Sequence, residues 1–138
     1  MITLLTGTKG SGKTKKLLAL IEEAAAASAG NVICVEQKEA LRYDVKTSVR
    51  LVSTDYYGVQ GFDAFYGLLA GLCAGDHDIT DILVDATLRI GSRDMEELAA
   101  FLAKVNKLSA EADTKFTFTV STETENIPAS VLEFCELK

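Results

Sequence analysis

The sequence is poor in the residues that build disulfide frameworks, zinc sites and histidine-dependent catalytic centres. Its 138 residues include three cysteines and one histidine. Cys34, Cys73 and Cys135 are far apart and odd in number, which excludes a disulfide framework and a CxxC site. Any Ser-His or Cys-His catalytic pair would need His77, which no nucleophile motif surrounds. We therefore expect three buried thiols in a reducing compartment.

Long apolar runs are also absent. Every apolar stretch is interrupted by Gly, Lys or Asp before the ~20 residues that a bilayer crossing needs, so no membrane span is expected. The first residues enter a strand pattern without a charged leader or a cleavage site, and we expect a cytoplasmic protein. No linker or internal repeat divides the chain. The length suits one domain, so residues 1–138 are predicted to form a single domain.

Charge is unevenly distributed in a chain whose net charge is −6. Residues 1–50 carry eight Lys or Arg against five Asp or Glu, whereas residues 51–138 carry six against fifteen. Four early lysines fall within eight residues: Lys9, Lys13, Lys15 and Lys16. Such a cluster suits a compact anion, because binding to a nucleic-acid backbone usually needs many cations spread over a surface. A nucleic-acid partner is not expected.

Apolar patterns alternate between strand and helix, which is typical of a parallel α/β sheet. Short apolar or β-rich runs predict five strands, at residues 2–6, 32–35, 49–53, 79–84 and 116–120, of which 49–53 would be an edge strand. Helical spacing predicts four helices: at 13–29, at 62–74, after an N-cap at Ser92, and from Pro128 to about 136. The sequence thus predicts a three-layer α/β domain with a mostly parallel five-stranded sheet and helices on both faces.

The segment GTKGSGKT, residues 7–14, matches the phosphate-binding pattern GxxxxGK[ST] in full. It follows a predicted strand and opens a predicted helix, which is the context that the mechanism requires. Its glycines permit backbone angles at which consecutive N–H groups surround an anion beside the positive end of the helix dipole. We expect the ligand site to comprise Gly7, Thr8, Lys9, Gly10, Ser11, Gly12, Lys13 and Thr14. Lys13 would reach the β- and γ-phosphates, and the Thr14 hydroxyl would bind Mg²⁺.

Asp85 directly follows the predicted strand at residues 79–84. A carboxylate in this position would lie near the phosphates and hold Mg²⁺ opposite Thr14. The alternative is that Asp85 caps a turn or a helix, although the next clear helix begins only near Ser92. We therefore take Thr14 and Asp85 as the predicted metal ligands.

On these residues the chain resembles the P-loop NTPase superfamily over nearly its whole length. Along the chain, two predicted strands, 32–35 and 49–53, separate the strand before the loop (the loop strand, 2–6) from the strand that Asp85 follows (the Asp85 strand, 79–84). This order makes the chain similar to the RecA-like and thymidine-kinase-like branch. It also resembles small stand-alone bacterial P-loop ATP-binding proteins. The resemblance implies a P-loop NTPase fold in which the 116–120 strand lies between the loop strand and the Asp85 strand. Ser121 and Thr122 would then lie near the γ-phosphate as sensors.

Two departures from the family pattern bear on activity. Relatives that hydrolyse ATP usually have Glu after the metal-binding Asp, whereas this chain has Ala86, so an attacking water would lack its usual base. Thymidine kinases carry a cysteine zinc site, which three scattered cysteines cannot supply. Glu36, at the end of the second strand, is the best substitute base. The alternative for Glu36 is a solvated acid in the polar connector EQKE.

The sequence therefore predicts binding of ATP with Mg²⁺ and slow or partner-stimulated hydrolysis. Adenine is the default base, because no guanine-binding Asn-Lys-x-Asp motif is present. A protein partner is expected to supply the missing base or an arginine. Two alternatives stay open: a small-molecule, nucleoside-type kinase, which would need an acceptor pocket, and a non-catalytic nucleotide sensor or assembly subunit, which Ala86 favours.

Overall fold

Strands and helices alternate along the chain in the computed structural model, which describes residues 1–138. The elements are β1 (Ile2–Thr6), α1 (Lys13–Ala27), β2 (Asn31–Glu36), β3 (Arg50–Ser53), α2 (Phe62–Gly75), β4 (Ile79–Val84), α3 (Thr87–Ile90), α4 (Met95–Ala112), β5 (Lys115–Val120), α5 (Ala129–Leu132) and β6 (Cys135–Leu137). A 3₁₀ turn at Thr124–Asn126 precedes α5. None of the helices has the length and apolar character that a membrane crossing requires.

All six strands pair in parallel, in the order β3-β2-β4-β5-β1-β6. The β5 strand lies between β1 and β4, as the family resemblance implied, and β3 is an edge strand, as its sequence predicted. Because the strands are parallel, their carboxyl ends meet along one edge of the sheet. Residues that follow β1, β4 and β5 are therefore brought together at this carboxyl edge.

The core consists of two apolar clusters, to which the central strands contribute alternate residues. In β2, Ile33 and Val35 belong to a cluster that includes residues of α2 and α4, whereas Val32 and Cys34 belong to a cluster that includes residues of α1. Successive strand side chains point to opposite faces, so these helices cover opposite faces of the sheet. The α/β class predicted from the sequence is confirmed.

The three cysteines are buried and free, as predicted. Burial raises the pKa of the Cys34 thiol to about 12, and the charges of Glu36 and Asp85 add to this shift. Burial likewise raises the pKa of the Cys135 thiol to about 12. Both groups are therefore neutral near pH 7 and behave as small apolar side chains.

The carboxyl-terminal segment differs from the prediction, which placed a helix at 128–136 and five strands in the sheet. Helix α5 ends at Leu132, and Cys135–Leu137 forms a sixth strand that pairs with Ile2–Leu4 of β1. Cys135 is buried and Glu136 is exposed, an alternation that suits an edge strand. The pairing satisfies backbone groups of β1 that would otherwise form an open sheet edge, and this long-range gain outweighs local helical preference.

The start of α4 also differs from the prediction. Its N-cap is Asp94 and not Ser92: the Asp94 carboxylate accepts hydrogen bonds from the amides of Glu96 at 2.9 Å and Glu97 at 3.1 Å. The Ser92 hydroxyl instead donates to the Glu97 carboxylate at 2.6 Å. Asp94 directly precedes the first helical residue, so only its side chain reaches the free amides of the first turn. The short helix α3, which the sequence did not predict, lies between Asp85 and this cap.

Candidate functional site

The loop between β1 and α1 leaves several backbone amides without a partner. Gly7, Gly10 and Gly12 have φ angles of 141°, 86° and 90°. Gly7 is the position that most requires glycine, because a Cβ there would collide with the hydroxyl of Ser11. The amides of Gly10, Gly12 and Lys13 donate to no acceptor in the chain. They are available for an anion at the amino end of α1.

The amide of Gly7 is not among these free donors. It donates to the carbonyl oxygen of Thr122 at 2.9 Å and so joins the start of the loop to the segment after β5. The amide of Ser11 is also used within the loop, since it donates to the carbonyl oxygen of Thr8 at 3.1 Å. Gly7 and Ser11 therefore shape the loop, and the amides without an acceptor belong to the residues between and after them.

Lys13 is a buried cation with no carboxylate partner. The residue is 9% exposed, and its Nζ donates to the carbonyl oxygen of Thr8 at 2.8 Å and to Oγ of Ser11 at 3.4 Å. The one ion pair in the chain joins Arg42 and Glu39. Burial lowers the pKa of the Lys13 ammonium, and the charge of Asp85 opposes this shift. Asp85 is close enough to act through its charge but forms no ion pair with Lys13. A buried charge without a close counter-ion is costly, so an incoming anion would be favoured here.

Asp85 lies at the carboxyl end of β4 and faces the start of α1. The Thr14 hydroxyl donates to its Oδ2 at 3.4 Å, which brings the two predicted metal ligands together. The alternative role of Asp85 as a helix cap is wrong: the N-cap of α3 is Ala86, and no side chain caps that helix. The carboxylate is thus directed toward Thr14 and not toward the amides of α3.

Thr119 is a site residue that the sequence analysis missed. Its buried hydroxyl donates to Oδ1 of Asp85 at 2.7 Å and accepts a hydrogen bond from the amide of Ala86 at 2.8 Å. Threonines alternate with other residues in β5, so the sequence placed Thr119 on the face opposite Phe118. Nothing local indicated that this face meets Asp85, because the contact depends on β5 lying beside β4.

The oxygen donors of this site suit Mg²⁺ only together with a phosphate ligand. No group of three or more His, Cys, Asp or Glu side chains in the chain could hold a metal ion by itself. Mg²⁺ commonly takes one or two protein oxygens and completes its shell with water and phosphate oxygens. The hydroxyl of Thr14 and the carboxylate of Asp85 are such a partial set. They fit the ion as the companion of a bound phosphate.

Glu36 is buried, so its alternative interpretation as a solvated connector acid is wrong. It is 4% exposed, and its two carboxylate oxygens each accept a backbone hydrogen bond of 3.0 Å, from the amides of Ala40 and Leu41. Burial raises the pKa of the carboxyl group, the two amides oppose the shift, and the charge of Asp85 adds to it. These contacts hold the turn after β2. A role of Glu36 as a general base stays a prediction.

Ser121 and Thr122 follow β5 and lie beside the start of the loop. The carbonyl oxygen of Ser121 accepts from the guanidinium of Arg93 at 3.0 Å, and the hydroxyl of Thr122 accepts from the side-chain amide of Asn126 at 3.3 Å. With Thr8 and Lys9 they line one cavity. Their position next to the loop agrees with the sequence expectation, and their role as γ-phosphate sensors stays a prediction.

No protein-family model matches this chain, and no curated protein matches it.

Proposed function

We propose that this chain binds a nucleoside triphosphate, ATP together with Mg²⁺, at residues 7–14, as a member of the P-loop NTPase superfamily with the three-layer fold of that group. The observation that carries the proposal is Lys13, a buried cation without a carboxylate partner at the first turn of α1. Free amides of Gly10 and Gly12 lie in the same loop. A triphosphate tail would supply a close counter-ion for Lys13 and acceptors for the free amides together.

Each residue of the site has a distinct role in this proposal. The free loop amides and Lys13 bind the phosphates, and Thr14 and Asp85 hold Mg²⁺, which would neutralise phosphate charge. Thr119 orients Asp85, and Gly7 sets the course of the loop. The bound nucleotide would occupy the carboxyl edge of the sheet, where ligands of parallel α/β proteins commonly bind.

We further propose that hydrolysis is slow or depends on a partner. Ala86 offers no carboxylate after Asp85, and both oxygens of Glu36 are already engaged by backbone amides. Water activation would therefore be inefficient in the isolated chain. A partner that contributes a base or an arginine would raise the rate.

Calorimetric titration and thermal unfolding with ATP·Mg²⁺ test the binding proposal. Ligand at about 100 times its Kd should stabilise the protein by about 2.7 kcal/mol. Lys13→Ala should remove most of that stabilisation. The matched control is Lys16→Ala, which deletes the same side chain from an exposed position on the same helix and should leave binding unchanged. Absence of binding heat from any nucleoside triphosphate, with folded wild-type protein, would refute the proposal.

A further inference from the structure

The cavity that Ser121 and Thr122 line with Thr8 and Lys9 lies beside the loop, on the side of β5. It has a volume of about 410 Å³. Its wall includes Thr8 and Lys9 of the loop, Ser121 and Thr122 after β5, and Arg89 and Arg93 from the segment after Asp85. Ligand pockets for small molecules commonly have volumes of about 300–1,000 Å³. The cavity is therefore large enough for a small molecule. It does not include Gly10, Gly12, Lys13 or Thr14, which form the proposed phosphate site.

The cavity wall is strongly cationic in a chain whose net charge is −6. Lys9, Arg89 and Arg93 contribute three positive charges, and Glu123 is the single acid in the wall. None of the three cations takes part in an ion pair, because the one ion pair of the chain is between Arg42 and Glu39. The wall thus keeps a net excess of positive charge, since Glu123 can offset only one of the three cations.

The two arginines of the cavity wall retain guanidinium N–H donors that no protein acceptor uses. The guanidinium of Arg93 donates from one nitrogen to the carbonyl oxygen of Ser121 at 3.0 Å, which restrains the side chain beside the cavity. Arg89 is exposed on α3, and its side chain makes no hydrogen bond within the chain. A guanidinium has five N–H donors in a planar fork, which matches the geometry of phosphate and carboxylate groups.

We propose that this cavity binds a second ligand, a small molecule that carries a phosphate or carboxylate group. This ligand would bind next to the nucleotide, so its role in the protein rests on the proposed function. The cavity shares Thr8 and Lys9 of the loop and the predicted sensors Ser121 and Thr122 with the nucleotide site, whereas Arg89 and Arg93 have no role in the proposed nucleotide site. Arg89 and Arg93 would determine the preference for an anion.

The experiment is a calorimetric titration of protein saturated with ADP·Mg²⁺, which blocks the loop amides. The probes are glycerol 3-phosphate, glycerate and glycerol at constant ionic strength, three molecules that differ in whether they carry a phosphate, a carboxylate or no charge. We expect one or both charged probes to bind and glycerol not to bind. Comparison of the two charged probes identifies the group that the cavity prefers.

Variants at the arginines separate this site from the nucleotide site. Arg89→Gln and Arg93→Gln should each weaken binding of the charged probe by about tenfold, because each removes a charge-assisted hydrogen bond. Affinity for ADP·Mg²⁺ should be unchanged. The matched control is Arg50→Gln, an exposed arginine at the amino end of β3, which should leave both affinities unchanged.

Lys13→Ala distinguishes failure of this inference from failure of the proposed function. It should abolish nucleotide binding and retain binding of the charged probe in the nucleotide-free protein. If wild-type protein binds no nucleotide but binds the probe through Arg89 and Arg93, the proposed function fails and the second site stands. The inference is overturned if neither charged probe binds, or if the arginine variants bind the probe as tightly as the wild type does. If the probes do not bind and the arginine variants weaken binding of ATP but not of ADP, the arginines serve the γ-phosphate instead.

Discussion

The hydroxyl of Thr119 donates a hydrogen bond of 2.7 Å to Oδ1 of Asp85 and accepts one of 2.8 Å from the amide of Ala86. One buried side chain thus fixes both the carboxylate and the backbone of the residue that follows it. The second oxygen of the carboxylate, Oδ2, accepts the hydrogen bond from the Thr14 hydroxyl. Loss of a group that orients a metal ligand typically costs about 10- to 100-fold in metal affinity.

Thr119→Val should therefore weaken the Mg²⁺-dependent part of ATP binding by about tenfold or more. The valine is similar in shape but can neither donate to Asp85 nor accept from Ala86. It should also lower the free energy of unfolding by about 1–3 kcal/mol, because buried polar groups lose their partner. Calorimetric titration of ATP over a range of Mg²⁺ concentrations measures the first effect. Thr119→Ser keeps the hydroxyl and is the control; equal Mg²⁺ dependence in the two variants would contradict the orienting role.

Gly7→Ala should disturb the loop through both its backbone angle and its steric contact. A φ of 141° is unfavourable for alanine, and the added Cβ would collide with the hydroxyl of Ser11. We expect a loss of about 1–3 kcal/mol in unfolding free energy from the strain and a clear loss of ATP affinity. Gly58→Ala is the control, since φ is 68° there and the added Cβ contacts nothing within 4 Å. It should cost stability and leave ATP affinity unchanged; if it weakens ATP equally, the loop interpretation is wrong.

Glu36→Gln should destabilise the turn after β2. A glutamine side chain has one oxygen acceptor, so it cannot accept hydrogen bonds from the amides of both Ala40 and Leu41 as the carboxylate does. The expected loss in unfolding free energy near pH 7 is about 1–3 kcal/mol. Urea unfolding of the two proteins near pH 7 measures it. Equal stability would contradict the prediction and would mean that removal of the buried charge offsets the lost hydrogen bond.

The same pair of proteins should differ in pH dependence. The pKa of Glu36 is raised in the folded protein above its ordinary value of 4.5, so the folded state holds the proton more tightly than the unfolded state. Its contribution to stability is present in full below that ordinary value and is lost as the pH rises through the folded-state pKa. The stability of the wild type relative to Glu36→Gln should therefore fall as the pH rises above 4.5. Parallel stability curves for the two proteins would contradict the assignment.

Ala86→Glu should increase ATP hydrolysis if the missing carboxylate limits the reaction. A positioned general base typically contributes about 10²-fold or more to a rate. Phosphate release from ATP·Mg²⁺ measures the change. Ala86→Gln is the control, because it has a similar size and the same left-handed backbone position, φ 60°, without a base. Equal rates in the two variants would show that a carboxylate at this position is not what the chain lacks.

The loop could be predicted from sequence because its signals are local. Glycine, lysine and threonine at fixed offsets between a strand and a helix indicate an anion site wherever that segment lies in the fold. The structure has the segment between β1 and α1, as expected. The meeting of Asp85 with Thr14 followed from one further rule, that carboxyl ends of parallel strands share one edge of the sheet.

The carboxyl-terminal strand and the hydrogen bonds of Thr119 could not be predicted in this way. Residues 135–137 are compatible with the end of a helix or with a strand, and only pairing with β1 selects the strand. Thr119 contacts a residue 34 positions away, and that contact exists because β5 lies between β1 and β4. Arg89 and Arg93 gave no local signal, since an arginine in a loop is usually solvated.

The sequence by itself determined the α/β class, the loop at residues 7–14 and the three buried thiols, since periodicity, glycine placement and apolar character act over short stretches of chain. The tertiary structure alone decided the sixth strand, the burial of Glu36, the orientation of Asp85 by Thr119, and the cationic cavity beside the loop. The physical reason is that these features are contacts between distant segments. Their hydrogen bonds and charges acquire partners only after the order of strands in the sheet is set.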